Sequence, residues 1–178
     1  MSSDLVAVWE VSLGDGVHTI EFEHGTTSGK RVIRVDGKEI YRNNWMFKLV
    51  GREDFIVGKA RCRILIDAIS GFSYEYTLEV NGKSLKKFSE NQTKILRSWI
   101  LMIGETGIRV TLEKDTLDVW VNGEKVETAG AFVDDGTETH FEIAGRSAYI
   151  KATSSGKRKD GIKHQLFVED QEIPLAKD

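Results

Sequence analysis

Three carboxylates and a histidine lie close together in the stretch FVDDGTETHF, a combination that can hold a metal ion or form an acid–base pair. The side chains are Asp134, Asp135, Glu138 and His140. Aspartate followed by glycine is a strong turn signal, and residues 139–143 then alternate between polar and apolar as a β-strand does. We therefore predict a turn followed by the polar face of a strand, rather than a metal or catalytic site.

The other motifs that could support catalysis or cofactor binding fail on spacing or composition. HGTTSGKR and NGKS contain Gly-Lys, but neither has the full glycine pattern that aims backbone amides at a phosphate. The chain has no Gly-x-Ser-x-Gly or His-Glu-x-x-His sequence, and its single cysteine, Cys62, cannot supply a zinc-finger-type site. His18 and Cys62 share strand faces with apolar residues, which predicts a hydrogen-bonded core histidine and a buried thiol that packs as a small apolar group. We predict no catalytic residue, no cofactor and no metal.

The composition is that of an ordinary globular protein. Of 178 residues, 40% are apolar and 30% are charged, and this length suits one large domain or two smaller ones. The net charge of -3 provides no overall field that would favour nucleic acid or an anionic membrane. No apolar run approaches the roughly 20 residues of a membrane-spanning helix, the N-terminal residues lack the plan of a signal peptide, and one cysteine fits a reducing compartment. We expect a cytoplasmic protein without nucleic-acid binding or membrane insertion.

One β-hairpin signal recurs along the chain. The stretches VDGKEI, VNGKSL and VNGEKV, which begin at Val35, Val80 and Val121, place Asp-Gly or Asn-Gly between two short strand patterns. Both dipeptides tolerate the positive φ angles of a type I′ turn, whose twist matches that of the flanking strands. The stretch VEDQEI, beginning at Val168, is a fourth copy that has lost its glycine. We predict a hairpin at each place.

The hairpin signals appear twice in the same order. Trp9 aligns with Trp99 in a block without gaps, and the later signals align after small shifts in spacing. Such shifts between fixed anchors are what a duplicated domain with variable loops shows. We predict an all-β protein of two tandem, internally duplicated antiparallel β-sandwich-like domains, at 1–88 and 98–178, joined by a linker at 89–97.

Short, regularly spaced strands support this architecture. In the first copy they are predicted at 5–13, 17–24, 30–36, 38–42, 45–50, 54–58, 61–70, 72–80 and 83–88. Such spacing favours a sandwich or a barrel. No convincing apolar stripe with a helical period is present, and the stretch 91–97 is the one candidate for a helix. We therefore expect hairpins throughout both copies.

Aromatic residues distinguish the second copy from the first. Leu117 is expected to face the core, which turns Trp120 outward, and Phe167 is outward by the same alternation. The first copy has charged residues, Arg34 and Glu79, at the corresponding positions. Exposed aromatic side chains are enriched in interfaces. We propose Trp120 and Phe167 as interface residues, contacting either the other domain or a partner.

A basic run, GKRKDG, lies between two predicted strands of the second copy. Its cations are Lys157, Arg158 and Lys159. One interpretation is a solvated hairpin tip, and the other is a surface for an acidic partner, since exposed basic loops speed association with anionic proteins. Both interpretations stay open, and the three cations are candidate partner-binding residues.

With these motifs assembled, the sequence resembles the Fas apoptotic inhibitory molecule family over essentially its whole length. The resemblance is most specific in DLVAVWEVSL, GVHTIEFEHGTTSGKRV, DAISGFSYEYTLEVNGKSLKK, ETAGAFVDDGTETHF and SSGKRKDGI. It implies a cytosolic, non-enzymatic protein that opposes death-receptor-triggered apoptosis through proteins of apoptotic or stress signalling. It also implies links to neurite growth and to countering protein aggregation. The family has no established catalytic residues to carry over.

The residues limit how such inhibition could work. Death domains are helical bundles, which a chain without a set of amphipathic helices cannot imitate. The remaining modes of partner recognition are through loops, an outer sheet face or an exposed strand edge. The alternatives are a small-ligand or carbohydrate-binding β-sandwich module, which would need a concave pocket, and an enzyme, which would need a cleft with perturbed titratable groups.

Overall fold

Antiparallel hairpins account for nearly all of the chain in the computed structural model, which describes residues 4–71, 73–154 and 161–176. The chain divides into two compact units, Met1–Gln92 and Thr93–Asp178. Each unit contains two antiparallel sheets and its own hydrophobic core. The predicted all-β class with two tandem sandwich-like units is confirmed.

The first unit consists of two four-stranded sheets followed by a helix. The strands are β1 (Leu5–Leu13), β2 (Gly16–His24), β3 (Arg31–Val35), β4 (Lys38–Asn43), β5 (Gly51–Val57), β6 (Ala60–Ser70), β7 (Ser73–Val80) and β8 (Lys83–Ser84), and the helix is α1 (Leu85–Ile95). The sheet orders are β1-β2-β3-β4 and β5-β6-β7-β8. Neighbours in a sheet are also neighbours along the chain, so both sheets are antiparallel meanders.

The second unit repeats this plan with one additional strand. Its strands are β9 (Leu96–Ile103), β10 (Thr106–Glu113), β11 (Asp118–Val121), β12 (Glu124–Val126), β13 (Ala129–Val133), β14 (Gly136–Ile143), β15 (Arg146–Ser154), β16 (Ile162–Val168) and β17 (Gln171–Ile173). The sheet orders are β12-β11-β10-β9 and β13-β14-β15-β16-β17. The additional strand is β13, at the edge of the five-stranded sheet.

The two cores repeat each other position by position. Ile20 and Leu78 are fully buried in the first unit, and their sequence counterparts Val110 and Leu166 are fully buried in the second. Alternate residues of a strand point to the same face, so one apolar row from each strand is enough to build such a core. The burial pattern is the one that the internal duplication predicts.

The turns at the three glycine-containing signals share one hydrogen-bonding arrangement. Asp36, Asn81 and Asn122 have φ angles of 52°, 52° and 48°. Each donates its N–H to a backbone carbonyl on the adjacent strand and accepts the N–H of that same residue on its side-chain oxygen. The three residues so bonded are Thr19, Arg61 and Arg109. The side chain thus satisfies a backbone donor where the ladder ends.

The fourth turn forms without a glycine. Glu169 and Asp170 have φ angles of 52° and 64°, in the left-handed region that residues with a Cβ rarely adopt. The N–H of Glu169 donates to the carbonyl of Ser147 at 2.9 Å, as the first turn residue does at the other three turns. The predicted hairpin is confirmed, and its turn has local backbone strain.

The strand predicted at 45–50 is wrong, because these residues form an irregular loop before β5. Nη2 of the buried Arg31 donates to the carbonyl oxygens of Lys48, at 3.2 Å, and Val50, at 2.8 Å. These carbonyls are satisfied by a side chain instead of a neighbouring strand. A residue far away in the sequence therefore fixes this loop.

The strand predicted at 83–88 is also wrong beyond Ser84, where helix α1 begins. The side-chain oxygen of Ser84 accepts the N–H of Lys87 at 3.3 Å. Serine is among the preferred residues at this capping position, because its oxygen satisfies one of the first free N–H groups of a helix. Phe88 is buried against the core of the first unit.

The segment 89–97, predicted as a linker, contains the end of α1 and the beginning of β9. Nη1 of Arg97 donates to the carbonyl of Thr93 at 3.2 Å. That carbonyl lies in the last turn of the helix, where no intrahelical donor follows. The domain limits at 1–88 and 98–178 stay predictions.

Candidate partner-binding surfaces

Trp120 lies half-buried on the outer face of β11, beside the fully buried Val119. Its indole Nε1 donates a hydrogen bond to Glu113 Oε1 at 2.6 Å. Leu117 does not face the core as predicted, since it lies in the preceding turn with a φ of 62° and is 48% exposed. The N–H of Leu117 bonds back to the carbonyl of Glu113 at 2.8 Å, which closes that turn. The interface role of Trp120 stays a prediction.

Phe167 belongs to a row of three neighbouring rings, here termed the aromatic ladder. His140 on β14, Tyr149 on β15 and Phe167 on β16 are direct cross-strand neighbours. The ring centroids are 5.1 Å apart between His140 and Tyr149 and 5.0 Å apart between Tyr149 and Phe167. Leu166 and Val168 are buried on the opposite face. The ladder therefore presents a continuous aromatic surface on the outer face of the five-stranded sheet, and whether a partner contacts Phe167 stays a prediction.

The edge strand β13 pairs with β14 alone. Its sequence, AGAFV, has no charged residue, and Phe132 is 94% exposed. Every other edge strand that the structure describes carries at least one charged side chain, which is a usual means of preventing unwanted strand addition. An edge strand leaves alternate N–H and C=O groups unbonded. β13 is therefore the least protected edge in the described part of the chain.

Lys157, Arg158 and Lys159 lie outside the described residues. Their proposed role toward an acidic partner stays a prediction.

His18 connects two turns of the first unit. Its Nδ1 is 2.7 Å from Asp36 Oδ2, and its Nε2 is 2.7 Å from Asp15 Oδ1. Burial lowers the pKa of His18, but the hydrogen bonds and charges of Asp15 and Asp36 outweigh it and leave the pKa above its ordinary value of 6.5. Ionised carboxylates only accept hydrogen bonds, so both ring nitrogens must donate, which requires imidazolium. This arrangement is a structural clamp between turns.

A group of buried polar side chains lies where β2 ends and β3 begins. His24 Nδ1 is 2.6 Å from the Tyr76 hydroxyl, and Arg31 Nη1 donates to Glu53 Oε1 at 2.9 Å. Burial lowers the pKa of His24, the Leu49 carbonyl acts in the opposite direction, and the Arg31 charge lowers it further. A neutral histidine therefore lies beside a paired arginine, and this group holds the loop that precedes β5.

That loop carries the most exposed aromatic side chains of the first unit among the described residues. Trp45 is 65% exposed and Phe47 is 88% exposed. Neither was predicted to be exposed, because both fall in the segment predicted as a strand, where one of the two faces would be buried. The available signal was Asn43-Asn44 before Trp45, since consecutive asparagines favour turns over strands.

A cavity of about 530 Å³ in the first unit bears on the small-ligand alternative. It lies beside β5 and β6 and is lined by Asp54, Phe55, Arg61, Arg63 and Glu79, among others. Phe55 is its one aromatic lining residue, and Arg63 Nε donates to Asp54 Oδ1 at 2.7 Å. Charged groups that already bind each other offer little to a sugar, which needs aromatic faces and free polar groups.

Cys62 lies on β6, is 2% exposed, and belongs to the first core. Burial raises the pKa of the Cys62 thiol to about 11, and a hydrogen bond involving the Val57 backbone acts in the opposite direction. The nucleophilic form is the thiolate, which is scarce at neutral pH with such a pKa. The predicted burial of the thiol is confirmed.

The described residues contain neither a cluster of metal ligands nor a membrane-spanning helix. Within the described ranges, no group of three or more His, Cys, Asp or Glu side chains is placed to hold a metal ion. The carboxylates near His140 accordingly form separate contacts, in which Glu138 Oε1 is 2.9 Å from His140 Nε2 and Lys151 binds Asp135. Among the same residues, no helix has the length and apolar character needed to span a bilayer.

The fold defines the chain as an all-β protein of two duplicated, sandwich-like units. Residues 5–176 match the family model described as Fas apoptotic inhibitory molecule (FAIM1). The chain therefore belongs to the Fas apoptotic inhibitory molecule 1 family, as the resemblance in its motifs indicated.

Relatives with the printed name Fas apoptotic inhibitory molecule 1 agree with this assignment. The protein from Bos taurus is 67% identical over 174 residues, which cover 97% of this chain and 87% of the relative. The proteins from Mus musculus and Homo sapiens are 65% and 64% identical over 174 residues, which cover 97% of this chain and 97% of each relative. The similarity thus spans both units.

Proposed function

We propose that this chain is a non-enzymatic cytoplasmic regulator that inhibits Fas-mediated apoptosis by binding other proteins. The names of relatives at 64–67% identity support the biological role. The observation that carries the mechanism is the uncharged, exposed edge of β13. A partner segment adds to this edge as a further strand of the five-stranded sheet.

The register of the sheet identifies the backbone groups that would bind a partner. Val133 and Gly136 face each other across a two-residue turn, so they form the first hydrogen-bonded pair of this hairpin. Bonded and outward positions alternate along the ladder. Gly130 and Phe132 therefore direct their N–H and C=O groups away from β14, where an added strand would meet them.

The surroundings of β13 define the chemistry of the partner segment. Glu127 and Asp134 flank the strand and are exposed, and Phe132 supplies an aromatic anchor. Complementary charge favours encounter and fixes register. The best partner is an extended segment of an apoptotic or stress-signalling protein, with alternating apolar residues and basic residues at its ends.

The test replaces Gly130 in cells in which death is triggered through Fas. Gly130→Pro removes the outward N–H, whereas Gly130→Ala keeps it and adds a Cβ into open space. We expect wild type and Gly130→Ala to reduce cell death and Gly130→Pro to lose most of this protection at equal protein level. Circular dichroism and thermal unfolding of both purified variants check that the fold is kept.

Two outcomes separate the biological role from the mechanism. Wild-type protein that gives no protection would show that the proposed role is wrong. Protection by Gly130→Pro equal to that of wild type would show that the role is right but that β13 is not the binding edge.

The same edge supports binding of aggregation-prone proteins. Exposed strand edges of partly folded chains also present unpaired N–H and C=O groups, which β13 can cap. The expected result is slower growth of light scattering by an aggregating strand-forming peptide in the presence of wild type, and less slowing by Gly130→Pro. Equal slowing by both proteins would exclude β13 from this activity.

A further inference from the structure

Residues 44–50 form the loop between β4 and β5, and this loop with the strand ends that flank it, residues 42–52 (RNNWMFKLVGR), is here termed the basic aromatic loop. Trp45 and Phe47 project from it with 65% and 88% of their surface exposed, and Val50 beside them is also exposed. Trp99 is buried, and Trp9 and Trp120 are half-buried. Folded proteins seldom expose a neighbouring tryptophan and phenylalanine without a contact for them.

The charge of this loop differs from that of its surroundings. It contains Arg42, Lys48 and Arg52 and no acidic residue, although acidic and basic residues are equal in number over residues 1–92. Arg42 is paired with Glu39. Lys48 and Arg52 are exposed, and neither forms an ion pair with a described residue. Lys48 is thus an exposed cation next to Phe47 in the sequence. Arg52 is a second one at the start of β5, where it is near enough to Asp54 for their charges to interact.

Several backbone groups of the loop already have hydrogen-bond partners within the first unit. The N–H of Met46 donates to the carbonyl of Ser28 at 2.9 Å, and the N–H of Trp45 donates to Asn43 Oδ1 at 3.2 Å. Arg31 occupies the carbonyls of Lys48 and Val50. The aromatic side chains thus project from a fixed frame, which lowers the entropy cost of binding.

These features favour a lipid surface over a protein strand as the partner. Adding a strand needs unpaired backbone groups, as at β13, whereas several backbone groups of this loop are already bonded. An apolar environment penalises any polar backbone group that lacks a partner, so internal bonding suits shallow burial. Tryptophan favours the membrane–water boundary, and lysine and arginine are attracted to anionic headgroups.

We propose that the basic aromatic loop binds the surface of anionic phospholipid bilayers. Trp45 and Phe47 enter the boundary between headgroups and acyl chains, and Lys48 and Arg52 lie against the phosphate and carboxylate groups of the lipids. The protein lies on the membrane and does not span it. Attachment is reversible and weakens with added salt, because the charges that produce it remain in contact with water.

The test uses the full chain and vesicles of phosphatidylcholine containing about 30% phosphatidylserine, a composition that gives a negative surface potential. We expect wild type to sediment with these vesicles and much less with pure phosphatidylcholine. Tryptophan emission should move to shorter wavelength on binding, and the Trp45→Phe variant should lose this shift while it keeps an aromatic ring. The double variant Trp45→Ala/Phe47→Ala should bind about tenfold or more weakly, because both apolar anchors are removed.

Matched variants distinguish specific binding by this loop from non-specific binding by any exposed aromatic side chain. Phe132→Ala removes an equally exposed aromatic side chain flanked by acidic residues, and it should bind vesicles as wild type does. Lys48→Glu should weaken binding to anionic vesicles and leave the thermal unfolding midpoint nearly unchanged, since Lys48 is exposed. Equal loss with Phe132→Ala would contradict the specificity of the loop.

Two results would overturn the proposal. One is wild type that stays in the supernatant with anionic vesicles at low salt. The other is saturable binding of the loop to an acidic protein with no binding to vesicles, which would make it a protein-binding surface. Neither result depends on β13, so Gly130→Pro should bind vesicles normally, whether or not the edge takes part in apoptosis.

Discussion

Trp120 Nε1 donates to Glu113 Oε1 at 2.6 Å on the outer face of the second unit, and this pair has a counterpart in the first. There, Arg34 corresponds to Trp120 and binds Glu23, which corresponds to Glu113. The duplication has kept a carboxylate and a donor across two neighbouring strands and has changed the donor from guanidinium to indole. The outward position of Trp120 is therefore occupied by an intramolecular contact as well as being available to a partner.

Removing the indole donor should destabilise the second unit. Trp120→Phe keeps an aromatic ring but no N–H, and we expect the free energy of unfolding to fall by about 1–2 kcal/mol. Urea unfolding of the full chain, followed by circular dichroism, measures the change. A double-mutant cycle with Glu113→Gln isolates the pair, and a coupling energy near zero would show that the hydrogen bond does not stabilise the fold.

His18 should give the first unit a pH-dependent stability. Its pKa in the folded state is raised above 6.5, so its contribution is fully present below the unfolded-state value and is lost as pH rises through the folded-state value. The difference in unfolding free energy between wild type and His18→Gln should therefore shrink as pH rises above 6.5 and through the folded-state pKa. Urea unfolding at a series of pH values measures it.

Two other histidines act in the opposite sense, so the comparison needs a control. Burial lowers the pKa of His24 and of His164, and their contributions to stability are lost as pH falls through their folded-state values. These contributions are the same in wild type and His18→Gln and cancel in the difference. A difference that stays constant with pH would show that folding does not raise the pKa of His18.

The hairpins could be predicted from the sequence because their determinants are local. The turn at Asn122-Gly123 needs positive φ angles. Its asparagine bonds to a neighbouring strand that is also close along the chain. Even the turn at Glu169-Asp170 was recognisable, because its flanking residues repeat those of the other turns. Periodicity and turn residues are enough to fix such elements.

The structure that could not be predicted at 45–50 depends on residues far apart in the sequence. The loop containing Trp45 and Phe47 is held by Arg31, whose partner Glu53 lies beyond the loop. A hydrophobic pattern with a period of two or 3.6 residues gives no information on such an ion pair. Alternation correctly turned Trp120 outward but could not show its bond to Glu113. Surfaces made by long-range contacts could therefore be found only in the structure, not in the sequence pattern.

Gly29 tests whether the loop before β5 is as tightly fixed as these contacts indicate. It has a φ of 72°, and a Cβ built on it would lie 2.3 Å from the Met46 carbonyl oxygen. Gly29→Ala must therefore displace the loop as well as strain its own backbone. We expect it to destabilise the first unit by about 2–4 kcal/mol, a cost typical of overpacking combined with an unfavourable φ.

Gly37→Ala is the matched control for this substitution. Gly37 also has a positive φ, 81°, but a Cβ there would meet nothing within 4 Å. Its cost should be the backbone strain alone, about 1 kcal/mol. Both free energies come from urea unfolding, and equal values for the two variants would show that the loop yields easily around Met46.

Substitutions in the glycine-free turn at Glu169-Asp170 should stabilise the second unit. Both residues hold left-handed φ angles, 52° and 64°, which cost about 1–2 kcal/mol for ordinary residues and less for asparagine and glycine. Glu169→Asn/Asp170→Gly restores the dipeptide found at the other turns, so we expect the second unit to gain about 1 kcal/mol or more. The reciprocal variant, Asn122→Glu/Gly123→Asp, should lose a similar amount, because it places the same residues at φ angles of 48° and 82°. Thermal unfolding of both variants measures the pair of effects, and a gain without the matching loss would mean that flanking contacts, not backbone conformation, set the stability of these turns.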